Sequence, residues 1–216
     1  MVITAIEDYP KGKGKVAVYL NSEFAFCLYK GELTKFKLKE GMELSEEIYA
    51  RLLEEVFNKR ATKRAMNLII TIDRTESDIR IKLSDGGYPA ESVDYAVDYL
   101  KSFHYIDDYR YAQEYYRFKS KSFSRKVIVS KLMAKGISLA VINSAIEQYE
   151  EENGIDSADA NLELITKLIK KKYPDGVADI SYEGKQKLFA YLYNKGFNIS
   201  DIDKSFSMFE REDIVL

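Results

Sequence analysis

One cysteine, one histidine, three prolines and no long apolar run exclude several kinds of protein at once. Cys27 stands alone, so no disulfide can form within the chain, and a reducing compartment suits it. His104 is the single histidine, and no nucleophile elbow accompanies it, so a Ser/His/Asp arrangement has no support. Three prolines and eleven glycines in 216 residues argue against an all-β or loop-rich fold. No apolar stretch approaches the roughly 20 residues that span a bilayer. The first residues lack the basic-then-apolar order of a signal peptide. A soluble, cytoplasmic protein without membrane contact is expected.

Hydrophobic residues make up 46% of the chain, enough for a core, and charged residues make up 31%, as on exposed helical surfaces. The organising pattern is a repeat. Leu132, Gly136, Ile137, Ile142, Ala145 and Ile146 recur 49 residues earlier as Leu83, Gly87, Tyr88, Val93, Ala96 and Val97. They recur 60 residues later as Leu192, Gly196, Phe197, Ile202, Ser205 and Phe206. Spacings of this size indicate tandem structural units. The frame reads as a helix stopped by a glycine in left-handed conformation, a hydrophobic residue closing the cap, and a second amphipathic helix. Gly87, Gly136 and Gly196 are therefore expected at positive φ.

The pattern predicts a mainly α protein: tandem three-helix repeats stacked into an elongated, curved body, with a small N-terminal antiparallel β segment. Residues 1–44 form the β subdomain. Val2–Ile6, Val16–Leu20 and Phe24–Leu28 read as strands, Pro10–Gly14 and Asn21–Glu23 as turns. Lys35 to Lys39 alternates strictly and is predicted to be a further, half-exposed strand. Residues 45–57 form a connecting helix capped by Ser45. Repeat one covers 58–106, repeat two 107–155 and repeat three 156–216. Thr75, Ser124 and Ser138 open helices, Asp107 or Asp108 caps the first helix of repeat two, and Pro89 suits a first helical turn. Asp156 begins repeat three, Pro174-Asp175-Gly176 breaks its first helix, and its extra length is assigned to the linker from Pro174 to Ser181.

Little in the chain carries chemistry. Asp107 and Asp108 beside His104 read better as helix caps than as metal ligands, since no further cluster stands at ligand spacing. Cys27 reads as a small core residue. No catalytic residue, metal or cofactor is expected, and the protein is read as a non-enzyme. Many of the seventeen tyrosines, such as Tyr95 and Tyr99, fall at helical spacing and suggest core packing or an interface.

Charge is more informative. From Tyr115 to Lys135 stand Arg117, Lys119, Lys121, Arg125, Lys126, Lys131 and Lys135, with no acidic residue among them. Tyr115, Tyr116, Phe118 and Phe123 interleave with them. These seven basic side chains are the candidate partner-binding residues. They flank the turn between the first two helices of repeat two and are read as exposed, so that Arg125 and Lys126 could be reversed without loss of fold. Phosphate backbones or an acidic protein surface would be attracted to them. Smaller clusters are Lys59, Arg60, Lys63 and Arg64, and Lys167, Lys170, Lys171 and Lys172. No base-reading motif is present, so sequence-specific DNA recognition is not indicated.

Three stretches resemble the RecX family of bacterial recombinase regulators. They are Arg74-x-Glu76-Ser77-x-Ile79-Arg80-x-Lys82-Leu83, Tyr105-Ile106-Asp107-Asp108-x-x-Tyr111-Ala112, and Leu132-x-x-Lys135-Gly136-Ile137 with Ile142 and Ala145 following. The resemblance covers about residues 58–209 and adds a β extension like that of longer members. It departs from the family at Ser124, where glycine is usual and serine should start a tighter helix, and at Asp85-Gly86-Gly87, where a basic residue commonly precedes the glycine and a charge contact is not implied. The resemblance implies a protein, expected to be monomeric, that binds the RecA recombinase filament and inhibits strand exchange and ATP hydrolysis. That would place it in DNA repair, recombination and the SOS response. An alternative from a different class is a helical nucleic-acid-binding module acting on DNA directly.

Overall fold

In the computed structural model the described residues are 1–10, 12–155, 157–174, 177 and 180–212. Lys11, Asp156, Asp175 and Gly176 lie outside them. The fold is mainly helical, with a small antiparallel sheet at its start, and the chain divides into two compact units, Met1–Asp107 and Asp108–Leu216.

The first unit opens with β1 (Ile3–Asp8), β2 (Lys15–Leu20) and β3 (Glu23–Tyr29), paired antiparallel in that order. Asn21 and Ser22, at φ 49° and 72°, make the two-residue turn between β2 and β3. Positive φ at both central residues gives a turn whose twist matches that of the strands. The register sets Val18 opposite Phe26 and Val16 opposite Leu28, all four buried.

The predicted strand at Lys35–Lys39 is a helix end. Helix α1 covers Lys30–Phe36, and Lys37 caps it at φ 56°. The Leu38 N–H then donates to the Leu33 carbonyl at 2.9 Å, closing the end in the six-to-one manner. Phe36 and Leu38 are buried and the flanking lysines exposed. The alternation is therefore real, but a left-handed turn produces it.

Helix α2 (Glu46–Leu52) is capped by the Ser45 hydroxyl, which accepts from the Ile48 N–H. It does not stop where the connecting helix was expected to meet repeat one. It continues through a π-helical turn, Leu53–Phe57, into α3 (Asn58–Ile69) with right-handed backbone throughout. Phe57 is fully buried, and its ring centroid lies 5.0 Å from that of Phe26 in the sheet. Helices α4 (Glu76–Ser84) and α5 (Ala90–Ser102) complete the first triplet with α3, around Ala65, Ile79, Leu83, Val97 and Leu100. Pro89 is the N-cap of α5, one position earlier than a first-turn proline.

The second unit contains two further triplets, each with its own core. Helices α6 (Asp108–Lys119), α7 (Arg125–Met133) and α8 (Leu139–Glu152) enclose Ile128, Leu132, Ile142 and Ile146. Helices α9 (Ser157–Lys172), α10 (Tyr182–Asn194) and α11 (Ile199–Glu212) enclose Ile165, Leu188, Leu192 and Ile202. Part of the extra length of the last triplet is in α10 itself, 13 residues against nine in α4 and α7.

The shared frame is visible in the backbone. Gly87, Gly136 and Gly196 have φ of 78°, 83° and 89°. In each case the next N–H returns to the leucine of the frame: Tyr88 to Leu83, Ile137 to Leu132 and Phe197 to Leu192, at 3.4, 3.3 and 3.4 Å. Two of these stops also receive a neighbouring segment. The Gly87 carbonyl accepts the Cys27 N–H of edge strand β3 at 2.7 Å, and a Cβ on Gly87 would lie 2.3 Å from the Cys27 sulfur. At the corresponding place in the second unit, the Ser124 N–H donates to the Lys195 carbonyl at 3.0 Å and the Ser124 hydroxyl to the Gly196 carbonyl at 2.8 Å. Glycine is needed at both stops for its backbone conformation and for the closeness of the approach.

Candidate functional site

The seven basic residues singled out in the sequence do not share one environment. Arg117, at the end of α6, pairs with Glu114 at 2.6 Å and lies over the Phe118 ring. Glu114 stands just before the acid-free stretch. Arg125, in the first turn of α7, is not a free surface charge. Its guanidinium bonds to Glu150 at 2.7 Å and lies 3.5 Å from Glu147, both on α8. Glu150 is buried and also accepts a hydrogen bond from the Tyr116 hydroxyl. Burial and then this carboxylate push the Tyr116 phenol above its ordinary range. The expectation that Arg125 can be reversed without harm is therefore corrected: a glutamate there would face a buried carboxylate.

Lys121 joins Tyr116, Phe123, Arg125, Glu150 and Lys167 among the residues lining a cleft of about 380 Å³. Lys126 is exposed on α7, and the Lys135 ammonium lies 5.7 Å from the Tyr111 ring centroid. Lys119 and Lys131 belong to a different grouping, which includes residues from the last triplet. The Lys131 and Lys195 ammoniums lie 4.2 and 4.1 Å from the centroid of one ring, Phe123. Lys195 is also 5.4 Å from the Tyr191 centroid, and Lys172 is 4.6 Å from the same ring. Lys131, Phe123, Lys195, Tyr191 and Lys172 thus form a row in which cations and rings alternate. Partial burial, followed by the charges of Lys131, Lys119 and Lys171, holds the Lys195 ammonium below the usual lysine range. Among the described residues, no carboxylate lies within ion-pair distance of any of these five lysines.

Lys195 was absent from the sequence-derived set. A usable signal existed, since Lys195 precedes Gly196 as Lys135 precedes Gly136. Lys171 and Lys172 were noticed as a separate cluster, but linear spacing could not join them to Phe123.

The other candidates are placed as follows. His104 has φ 54° just beyond α5, and α6 begins at Asp108. Among the described residues, no group of three or more His, Cys, Asp or Glu side chains is placed to hold a metal ion. Cys27 is buried, and burial pushes its thiol up. Arg60 is tied to Glu32 at 2.7 Å and lies over the rings of Tyr29 and Tyr88. Tyr95 and Tyr99 are exposed on α5 and do not pack in the core. Among the described residues, no helix is long and apolar enough to cross a membrane.

These features define a tandem three-helix repeat protein with a β-sheet at its start and a cationic, ring-interleaved surface in its second and third triplets. Residues 107–146 match the second three-helix domain of RecX, and residues 159–205 match the third. Regulatory protein RecX of Clostridium botulinum (strain Eklund 17B / Type B) is 31% identical over 98% of this chain and 99% of its own length. That of Clostridium beijerinckii is 30% identical over 91% of this chain and 90% of its own. A crystal structure of regulatory protein RecX superimposes with a TM-score of 0.52 at 28% identity, covering 94% of this chain and 97% of that one. RecX from Lactobacillus salivarius shares the fold, with a TM-score of 0.54 at 21% identity over 71% of this chain and 97% of that one. The chain belongs to the RecX family of regulatory proteins.

Proposed function

We propose that this protein binds the RecA recombinase filament and restrains it, lowering strand exchange and ATP hydrolysis during DNA repair and recombination. The observation that carries this reading is the near full-length correspondence with proteins named regulatory protein RecX. The charge distribution supports it. A filament groove lined by DNA and by acidic protein surface would suit the basic side chains of α6 and α7, with Lys172 and Lys195 added to them. The protein acts in the cytoplasm as a monomer, by occupancy and not by catalysis.

The test is a titration of RecA's DNA-dependent ATPase with this protein, beside a strand-exchange assay. Both rates should fall as the protein approaches stoichiometry with the filament. Unchanged rates at a large excess would overturn the proposal. Lys126→Glu combined with Lys131→Glu should weaken the inhibition, and the loss should shrink as salt rises, because screening removes the attraction that the exchange reverses.

A further inference from the structure

The row of lysines and rings has a feature that filament binding in general does not explain. In α4 the first turn carries Glu76 and Asp78, and in α10 it carries Glu183. Acids belong there, because the N-terminus of a helix carries a partial positive charge. The equivalent turn of α7 has no acid; its first two residues are Arg125 and Lys126. Phe123, which holds the ammoniums of Lys131 and Lys195, stands two residues before α7. Three lysines, Lys131, Lys195 and Lys172, are thus gathered at two rings beside a helix terminus that lacks an acid, and among the described residues none of the three has a carboxylate within ion-pair distance.

We propose that Lys131, Lys195 and Lys172, spaced by Phe123 and Tyr191 and flanked by Lys119 and Lys171, seat successive backbone phosphates of a nucleic-acid strand. This deepens the filament reading and rests on it for the source of the strand, the DNA that such a filament carries.

Three observations support the seat, and the second favours phosphate over the carboxylates of a protein surface. First, both arginines of this stretch, Arg117 and Arg125, already hold carboxylates of their own chain. Among the described residues, Lys131, Lys172 and Lys195 hold no carboxylate, so each can meet an outside anion as a point charge. Second, the ammoniums form a row with Lys195 shared between the two rings. A repeating polyanion can satisfy a row; an isolated carboxylate satisfies one place in it. Third, the Ser124 N–H bond to the Lys195 carbonyl fixes the end of α10 against the start of α7. The backbone that carries Lys195 is thus set against the start of α7 before any ligand arrives, which reduces the ordering cost of binding. The row holds no Arg, Asn or Gln side chain to read a base edge, and lysines engaged by phosphates position a strand without reading its sequence.

The experiment is fluorescence anisotropy of a labelled single-stranded oligonucleotide with the full-length protein across a range of salt. The unaltered protein should bind, with log affinity falling linearly in log salt. Lys131→Gln with Lys195→Gln should lose about tenfold or more in affinity at low salt. It should also flatten the salt slope by roughly 1 to 1.5, since each lost phosphate contact removes about 0.7 on a single strand. Lys131→Arg with Lys195→Arg should keep most of the binding, which separates charge from damage to the fold. Lys187→Gln removes the same charge from a lysine paired with Glu183, and should change little. An unaltered slope in a folded double glutamine variant would refute the phosphate seat. So would an unaltered protein that binds no oligonucleotide yet still inhibits RecA; the filament reading would then stand without this inference. Loss of RecA inhibition with unchanged oligonucleotide binding would assign the row to an acidic protein surface and likewise overturn the proposal.

Discussion

Replacing Gly196 with alanine tests the packing that joins the second and third triplets. The residue sits at φ 89°, so any Cβ there meets left-handed strain of about 1 kcal/mol. Space is a separate matter. The new Cβ would stand 2.3 Å from Val127 Cγ2 and 2.5 Å from Ser124 Oγ, well inside ordinary carbon contact distances of about 3.5–4.0 Å. Relief requires the start of α7 to retreat from the end of α10. That retreat stretches the two hydrogen bonds from Ser124, to the carbonyls of Lys195 and Gly196. Overpacking of this kind costs about 1–3 kcal/mol, so the total expected is about 2–4 kcal/mol. Gly154 supplies the control, because it has φ 62° and nothing within 4 Å of a Cβ; Gly154→Ala should cost only the strain, about 1 kcal/mol. Urea unfolding followed by far-ultraviolet circular dichroism measures both. Val127→Ala removes the nearest obstructing atom, so in the Gly196→Ala background it should cost less than it does alone, by about 1 kcal/mol. Equal losses at Gly196 and Gly154, or strict additivity with Val127→Ala, would refute the reasoning.

Other outcomes follow from particular side chains. Arg125→Ala should destabilise by about 2 kcal/mol, because it leaves the buried Glu150 carboxylate short of a partner, and Arg125→Glu should cost more; denaturant midpoints decide this. Ser205 is buried with a hydroxyl that has no partner among the described residues, at a frame position filled by Ala96 and Ala145 in the other copies. Ser205→Ala should therefore raise stability by about 1 kcal/mol in the same assay. Lys37→Gly should raise it by about 0.5–1 kcal/mol, by removing left-handed strain at the end of α1. The Tyr116 phenol titrates higher in the folded protein than its ordinary value of 10, so its contribution is complete below about pH 10 and is lost as pH rises beyond that. Thermal melts should show this alkaline loss, and Tyr116→Phe should reduce it.

The parts of the fold that were legible in the sequence are those fixed by local chemistry. Three glycines in one frame demanded positive φ wherever the tertiary structure put them, and the hairpin around Asn21 and Ser22 carried its own turn residues. Lys35–Lys39 was misread because period-two burial arises from a strand or from one residue in left-handed conformation, and Lys37 is not a residue type that announces the second. Nor did the sequence announce that the connecting helix runs on into the first helix of repeat one: the π turn keeps Phe57 in helical backbone while its ring lies against Phe26 in the sheet's core. The candidate site was half legible. An acid-free window marked the right region, but a linear window does not see Glu147 and Glu150 return from α8 to neutralise Arg125. Nor does it see Lys172 and Lys195 arrive from the next triplet to surround Phe123 and Tyr191.

The uninterrupted rod from Glu46 to Ile69 bears on how this protein can be dissected. A fragment begun at residue 58, to isolate the triplets, would start inside a helix. Its first four N–H groups would lose their partners, and Phe57, which closes the core beneath the sheet, would be discarded. The sheet left behind would lose the aromatic floor on which Phe26 rests. The start of the chain is thus not a detachable tag on a helical array. Excision that respects the architecture must fall after α5, where the first compact unit ends at Asp107.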